Sequence, residues 1–225
     1  MEREVKFTFD ESPSMENFNK KFSETLALTA PAGYGLGASY GAPATLDTLD
    51  DINKNGWYYF GNDNYKLTIG TVQVYLDGAV MRVDKYVSIG QTIYLQNQGM
   101  NGYTIRRYLE NTQWSPWEWV NPPMQLGVEY RTTERYLRKP VYVKAVDFGT
   151  LPNSTIKSVN HETEKIHYVI RCEGYIDSGE SLPYVFNNSR IDVFADRTSV
   201  KVCTNYAPPS TTRAIAVMYY TKTTD

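Results

Sequence analysis

Chemistry on a polypeptide surface starts with nucleophiles, bases and paired carboxylates, and this sequence offers few of them. Its histidines are His161, in the polar stretch Asn160-His161-Glu162, and His167, placed by strand alternation on a solvent-facing side. Neither sits in a Gly-x-Ser-x-Gly elbow or a His-Glu-x-x-His helix, so no acyl-transfer or zinc-protease site is signalled. Carboxylate pairs could cleave a glycoside. Asp192 with Asp196 and Glu173 with Asp177 are the candidates, but a chain with 25 acidic residues supplies such pairs by chance, and solvated surface charge is the simpler reading. Asp47, Asp50 and Asp51, and the turn Asn62-Asp63-Asn64, lack the regular oxygen spacing and closing glutamate of a calcium loop. Cys172 and Cys203 make no Cys-x-x-Cys and read as reduced packing residues. The expectation is a protein that is not an enzyme and that needs no metal and no cofactor.

Aromatic residues are the other source of chemistry. Tyrosine dominates, at 19 against 8 Phe and 4 Trp. A ring with an apolar body and a polar tip suits strands and wet interfaces. The cluster Trp114-Ser115-Pro116-Trp117-Glu118-Trp119 could offer flat faces to sugar rings, as could Trp57-Tyr58. Alternation puts Trp117 and Trp119 on one side and Glu118 on the other, which favours core packing for those two. Trp57, Tyr58, Trp114 and Trp117 are the candidate sugar-contacting residues.

The elements that must hold these residues are strands. Short runs at 57–60, 65–69, 72–76, 79–87, 92–96 and 103–109 are separated by Gly and Asn turns, with Asp77-Gly78 the strongest hairpin signal. Asn121-Pro122-Pro123 marks a boundary. Beyond it, 141–148, 166–172, 190–195, 200–206 and 214–221 have the spacing of a β-sandwich. In the run from Ile166, the set Ile166, Tyr168, Ile170, Cys172 is expected to point inward. Ala214 to Tyr220 is apolar on both faces, as in a central strand or one packed on another subunit. Before all of this, Ser12-Pro13 caps a short helix carrying Met15, Phe18, Phe22 and Leu26 on one face, and Gly33-Tyr34-Gly35-Leu36-Gly37 forms a linker without the Lys-Ser/Thr of a phosphate loop. The organisation expected is therefore an arm and linker over 1–48, a small β-rich module over 49–124 and a β-sandwich over 125–225.

A net charge of −2 provides no broad basic surface for nucleic acid. The charged start, Met1-Glu2-Arg3-Glu4, is unlike a secretion signal, and no run is long enough to insert in a membrane. Synthesis in a cytoplasm is expected, which makes the sequons at Asn153 and Asn187 coincidental.

The stretch from Leu49-Asp50-Asp51-Ile52 through Gly56-Trp57-Tyr58-Tyr59-Phe60 to Trp114-Ser115-Pro116-Trp117 resembles the pyocin-knob module of phage tail fibres and tail-like bacteriocins. Gly127 to Tyr136 with Lys139 to Lys144 looks like the C-terminal domain that follows such modules. The resemblance covers about 49–225. It implies an all-β chain assembled as a homotrimeric fibre on a virion, with the arm bound to a capsid or tail protein and the body attached to a bacterial surface glycan. A purely structural virion role, as head fibre, decoration or baseplate protein, is the alternative; a glycan depolymerase is a third.

Overall fold

The computed structural model describes residues 42–225 apart from 62, 63, 86 and 98. The helix after Ser12-Pro13 and the Gly33 to Gly37 linker lie outside the described residues. Within them every regular element is a strand. The first group comprises β1 (Ala42–Ala44), β2 (Gly56–Phe60), β3 (Lys66–Ile69), β4 (Val72–Tyr75), β5 (Val80–Lys85), β6 (Ile89–Tyr94), β7 (Thr104–Glu110), β8 (Gln113–Trp114) and β9 (Glu118–Trp119). The second comprises β10 (Glu129–Tyr136), β11 (Lys139–Thr150), β12 (Ile156–Asn160), β13 (Ile166–Ile176), β14 (Ser181–Leu182), β15 (Tyr184–Phe186), β16 (Ser189–Ala195), β17 (Ser199–Thr204) and β18 (Arg213–Lys222).

One long sheet runs β1-β2-β5-β6-β7-β9-β10-β11-β18-β13-β14, with β8 paired to β7. A four-stranded sheet, β12-β17-β16-β15, lies against its second half, and β3-β4 is a separate hairpin. Two expectations change. Asp77-Gly78 does form a turn, with Gly78 at φ 69°, but it carries the chain from β4 into β5, which lies in a different sheet. In this region a tight hairpin forms instead at Gly70-Thr71, where Gly70 takes φ 62° and Ile69 faces Val72. A turn dipeptide fixes the local reversal but not which strands pair. In β13, register shifts between Ile166 and Arg171 break the alternation, so Tyr168 is 44 % exposed and Val169 packs inward. Each of the two shifts inserts one residue and inverts the phase, so the second restores it and Cys172 packs inward as expected.

The long sheet has a different neighbour on each face. Tyr58, Phe60, Met81, Val83, Ile93, Ile105, Trp119, Tyr130, Val143 and Val217 point to one face and form a core with Val74 and Leu76, at the β3-β4 hairpin. Tyr220, Met218, Ala216, Val146 and Phe148 point to the other and form a sandwich core with Ile191, Val193, Val200 and Val202 of the four-stranded sheet. Register carries the parity across: Ile105 faces Trp119, Trp119 faces Thr132, Val143 faces Tyr219 and Ala145 faces Val217. β18 therefore lies between β11 and β13 with both faces covered, and its doubly apolar sequence is explained within one chain. Gly174 is required beside it, because a Cβ there would meet the Ile215 carbonyl oxygen at 2.3 Å.

The two groups of strands join at β9 and β10. Glu118 is fully buried and accepts from Arg131 Nε at 2.9 Å and from Arg135 Nη2 at 2.9 and 2.7 Å. Arg131 in turn donates to Tyr142 Oη at 3.1 Å and to Asp225 Oδ1 at 2.8 Å. Removing one partner of a buried pair leaves the others unneutralised in low dielectric. Glu118→Gln is expected to lower unfolding stability by about 3 kcal/mol, at the low end for buried pairs because Arg135 is partly exposed; urea titration checks this, and a loss under about 1 kcal/mol would remove the clamp from the account.

Candidate functional site

The two ends of the knob-like motif meet at Arg107. Its guanidinium lies between the rings of Trp114 and Trp117, 4.3 and 4.5 Å from their centroids. Nε donates to Gln91 Oε1 at 2.8 Å, and Nη2 pairs with Asp50 Oδ1 at 2.6 Å. Gln91 Nε2 donates to the carbonyls of Leu49 at 2.7 Å and Ile52 at 2.9 Å, and Trp114 Nε1 donates to the Asp50 carbonyl at 3.1 Å. Burial pulls the Arg107 pKa below its usual value, with Asp50 opposing the shift. The Asp50-Asp51-Ile52 turn is thus clasped onto β6 and β7, and the Trp114 and Trp117 faces that touch Arg107 are occupied by it. Sequence reading passed over Arg107 and Gln91. Their signal was parity: each stands among core positions, Ile105 and Arg107, or Ile89, Gln91 and Ile93.

Trp57 and Tyr58 are not brought together. Adjacent residues of a strand point to opposite faces. Tyr58 is buried in the first core and donates to the Lys54 carbonyl at 3.0 Å, and burial raises its pKa. Trp57 is half-buried on the opposite face, its ring 5.9 Å from that of Tyr94. Register extends that face into a row of Trp57, Arg82, Thr92 and Arg106, flanked by Tyr59, Tyr94 and Tyr108. Arg106 stacks on Tyr108 at 4.5 Å, over Gly90, where a Cβ would stand 3.4 Å from the guanidinium. Arg82 pairs with Asp84 at 2.8 Å. These rings belong to neither core. The face carries half-buried aromatics interleaved with two guanidinium groups.

Of the candidate acid-base groups, Asp192, Asp196 and His161 have structural work. Asp196 accepts from the backbone N–H groups of Thr198 and Ser199, both at 2.8 Å, and pairs with Lys201, which holds its carboxyl far below the usual range. Asp192 pairs with Arg190 at 2.6 Å. Glu173 lies in β13, whereas Asp177 lies in the turn that follows it. His161 is buried, its Nδ1 accepting from Thr163 N–H at 3.1 Å and its Nε2 facing the Asp196 carbonyl at 3.3 Å. That arrangement requires a neutral ring, and burial lowers its pKa. Among the described residues no cluster of three His, Cys, Asp or Glu could hold a metal, and no helix is long and apolar enough to cross a membrane. Burial pushes the Cys172 thiol up to about 12.

No family model matches the sequence, and no curated protein matches it. The chain is similar to pyocin tail fibres. An N-truncated R2-type pyocin tail fibre is 9 % identical over 81 % of this chain and 95 % of its own, with a TM-score of 0.28. The C-terminal part of the R2 pyocin fibre of P. aeruginosa is 9 % identical over 83 % of this chain and 69 % of its own, with a TM-score of 0.27. That of the R1 pyocin fibre of P. aeruginosa is 10 % identical over 80 % and 66 %, with a TM-score of 0.23.

Arg107→Lys keeps the charge but loses the planar stack and the fork of donors. It is expected to cost about 2 kcal/mol in urea unfolding and to change the tryptophan emission of the folded protein; a variant as stable as the parent would refute the clasp. For His161 the folded pKa lies below the unfolded value of about 6.5, so the unfolded chain binds the proton first and stability falls as pH drops below that value. Unfolding of His161→Gln should therefore show a shallower loss between about pH 6.5 and 5 than the parent. Parallel curves would mean that His161 is not the titrating group.

Proposed function

We propose that this chain is a non-catalytic, adhesive subunit of a phage-type fibre, and that it attaches to a bacterial surface glycan through the outer face of β2, β5, β6 and β7. The observation that carries the reading is the row of half-buried rings on that face, Trp57, Tyr94 and Tyr108, with Arg82 and Arg106 among them. A pyranose has an apolar C–H face that stacks on such rings, and its hydroxyl and acidic groups accept from guanidinium donors. Of the four candidate residues, Trp57 contributes directly; Tyr58, Trp114 and Trp117 act by holding the face in shape. A homotrimer presents the face three times, so that weak contacts combine by avidity. The N-terminal arm would fix the trimer to a capsid or tail protein.

The test is binding of the full-length protein to purified bacterial surface polysaccharides, with reducing ends measured in the same samples. Trp57→Ala should weaken binding about tenfold or more while changing unfolding stability by less than about 1 kcal/mol. No reducing ends should appear. Undiminished binding by the variant would reject the face, an absence of any binding would leave the structural virion role, and released reducing ends would establish a depolymerase.

A further inference from the structure

We propose that a cavity at the Arg213 end of β18 is a second sugar site, one that takes a single neutral or amino pyranose residue. It lies on the opposite face of the long sheet from Trp57 and does not depend on that surface. Its volume is about 310 Å³, near the lower limit of small-molecule sites, about 300 Å³. Two large apolar side chains that would otherwise be expected inside the protein stand open there, Tyr175 at 48 % and Leu126 at 51 % exposure. Exposed apolar groups converging on a concavity mark a binding surface.

The register fixes the layout. Asp147 faces Ile215, and Ile215 faces Tyr175, so the three side chains form one row across β11, β18 and β13. Two strand spacings, about 10 Å, separate the ends of that row, with Ile215 as the floor between them. A bulge between Asp147 and Gly149 shifts the register of the ladder beside it. The charges are committed unequally. Asp147 accepts from Gly149 N–H at 2.9 Å and from Arg213 Nη2 at 3.1 and 2.9 Å. Asp177 is anchored by its own N–H on the Arg213 carbonyl at 3.1 Å, and no described group pairs with its carboxylate.

The cavity therefore combines an aromatic wall, an apolar floor and one uncommitted carboxylate, with two acidic groups against one basic. That charge disfavours acidic ligands. A pyranose matches it: the C–H face lies on Tyr175, and hydroxyl or ammonium donors meet Asp177. A flat aromatic ligand would leave the carboxylate unpaired, and a simple cation would leave Tyr175 and Leu126 wet.

Saturation-transfer NMR on the full chain tests this, with methyl glycosides of glucose, galactose, mannose and glucosamine as probes. At least one should give signals on its ring C–H protons, weakened about tenfold by Tyr175→Ala and severalfold by Asp177→Asn, and unchanged in Trp57→Ala. Both substituted positions are exposed, so unchanged strand spectra are expected to accompany the loss. A response confined to the glucosamine glycoside identifies ammonium recognition, and a response from the neutral glycosides identifies hydroxyl recognition; either supports the site. Silence from every probe at millimolar concentration, or binding that survives both substitutions, overturns it. Loss of polysaccharide binding in Trp57→Ala with glycoside signals intact separates this site from the outer face.

Discussion

Glu118 between Arg131 and Arg135 is the interaction on which the arrangement of the molecule turns. A carboxylate fully withdrawn from water is held there by two guanidinium groups, and Arg131 passes the contact on to Tyr142 and Asp225. An unpaired charge at that depth would be expelled, so the strands that carry these residues must meet in this register. β9 supplies Glu118, and β10 supplies both arginines. Thr132 meets Trp119 across the same join and donates its hydroxyl to the Val141 carbonyl at 2.7 Å. The seam joins the first group of strands to the second as one sheet.

From that seam follows which faces are open. On one side of it the sheet buries the Tyr58 and Trp119 face, leaving the Trp57 face uncovered by either core. On the other side the parity is the same; the first core continues over Val143, Ala145 and Val217, and the four-stranded sheet covers the opposite face as well. A single sheet thus keeps two different surfaces available. The Trp57 surface is broad, aromatic and cationic in part. The cavity at Tyr175 is small and acidic, and it opens where the first core runs out beside Ile215.

Much of this was legible in the sequence. Alternation located half of the eighteen strands among the described residues within a residue or two, because one buried face imposes a period of two wherever a ladder is regular. It failed at Tyr168, where a bulge shifts the phase and no residue type announces it. Asp77-Gly78 announced a turn, but pairing is decided by tertiary packing that a dipeptide does not encode. Trp117 and Trp119 were read as core on parity, and both are buried. Trp57 and Tyr58 were grouped as neighbours in sequence, although the strand separates them by a full face. Arg107 and Gln91 were missed through reading polarity as exposure; a polar residue at a core position in a strand is better read as a satisfied network. The cavity could not have been seen, since Leu126, Asp147, Tyr175 and Arg213 come from four separate segments.

The central claim is that the strands before and after Asn121-Pro122-Pro123 form one cooperative sheet around the Glu118 seam. Native-state hydrogen exchange across a series of sub-denaturing urea concentrations tests it most directly. The backbone amides of Ile105, Trp119, Thr132 and Val143 should converge on one unfolding isotherm with a common slope. Exchange of the strands over 49–124 through an opening of lower free energy, while those of 129–225 stay protected, would contradict it and show two units that merely adjoin.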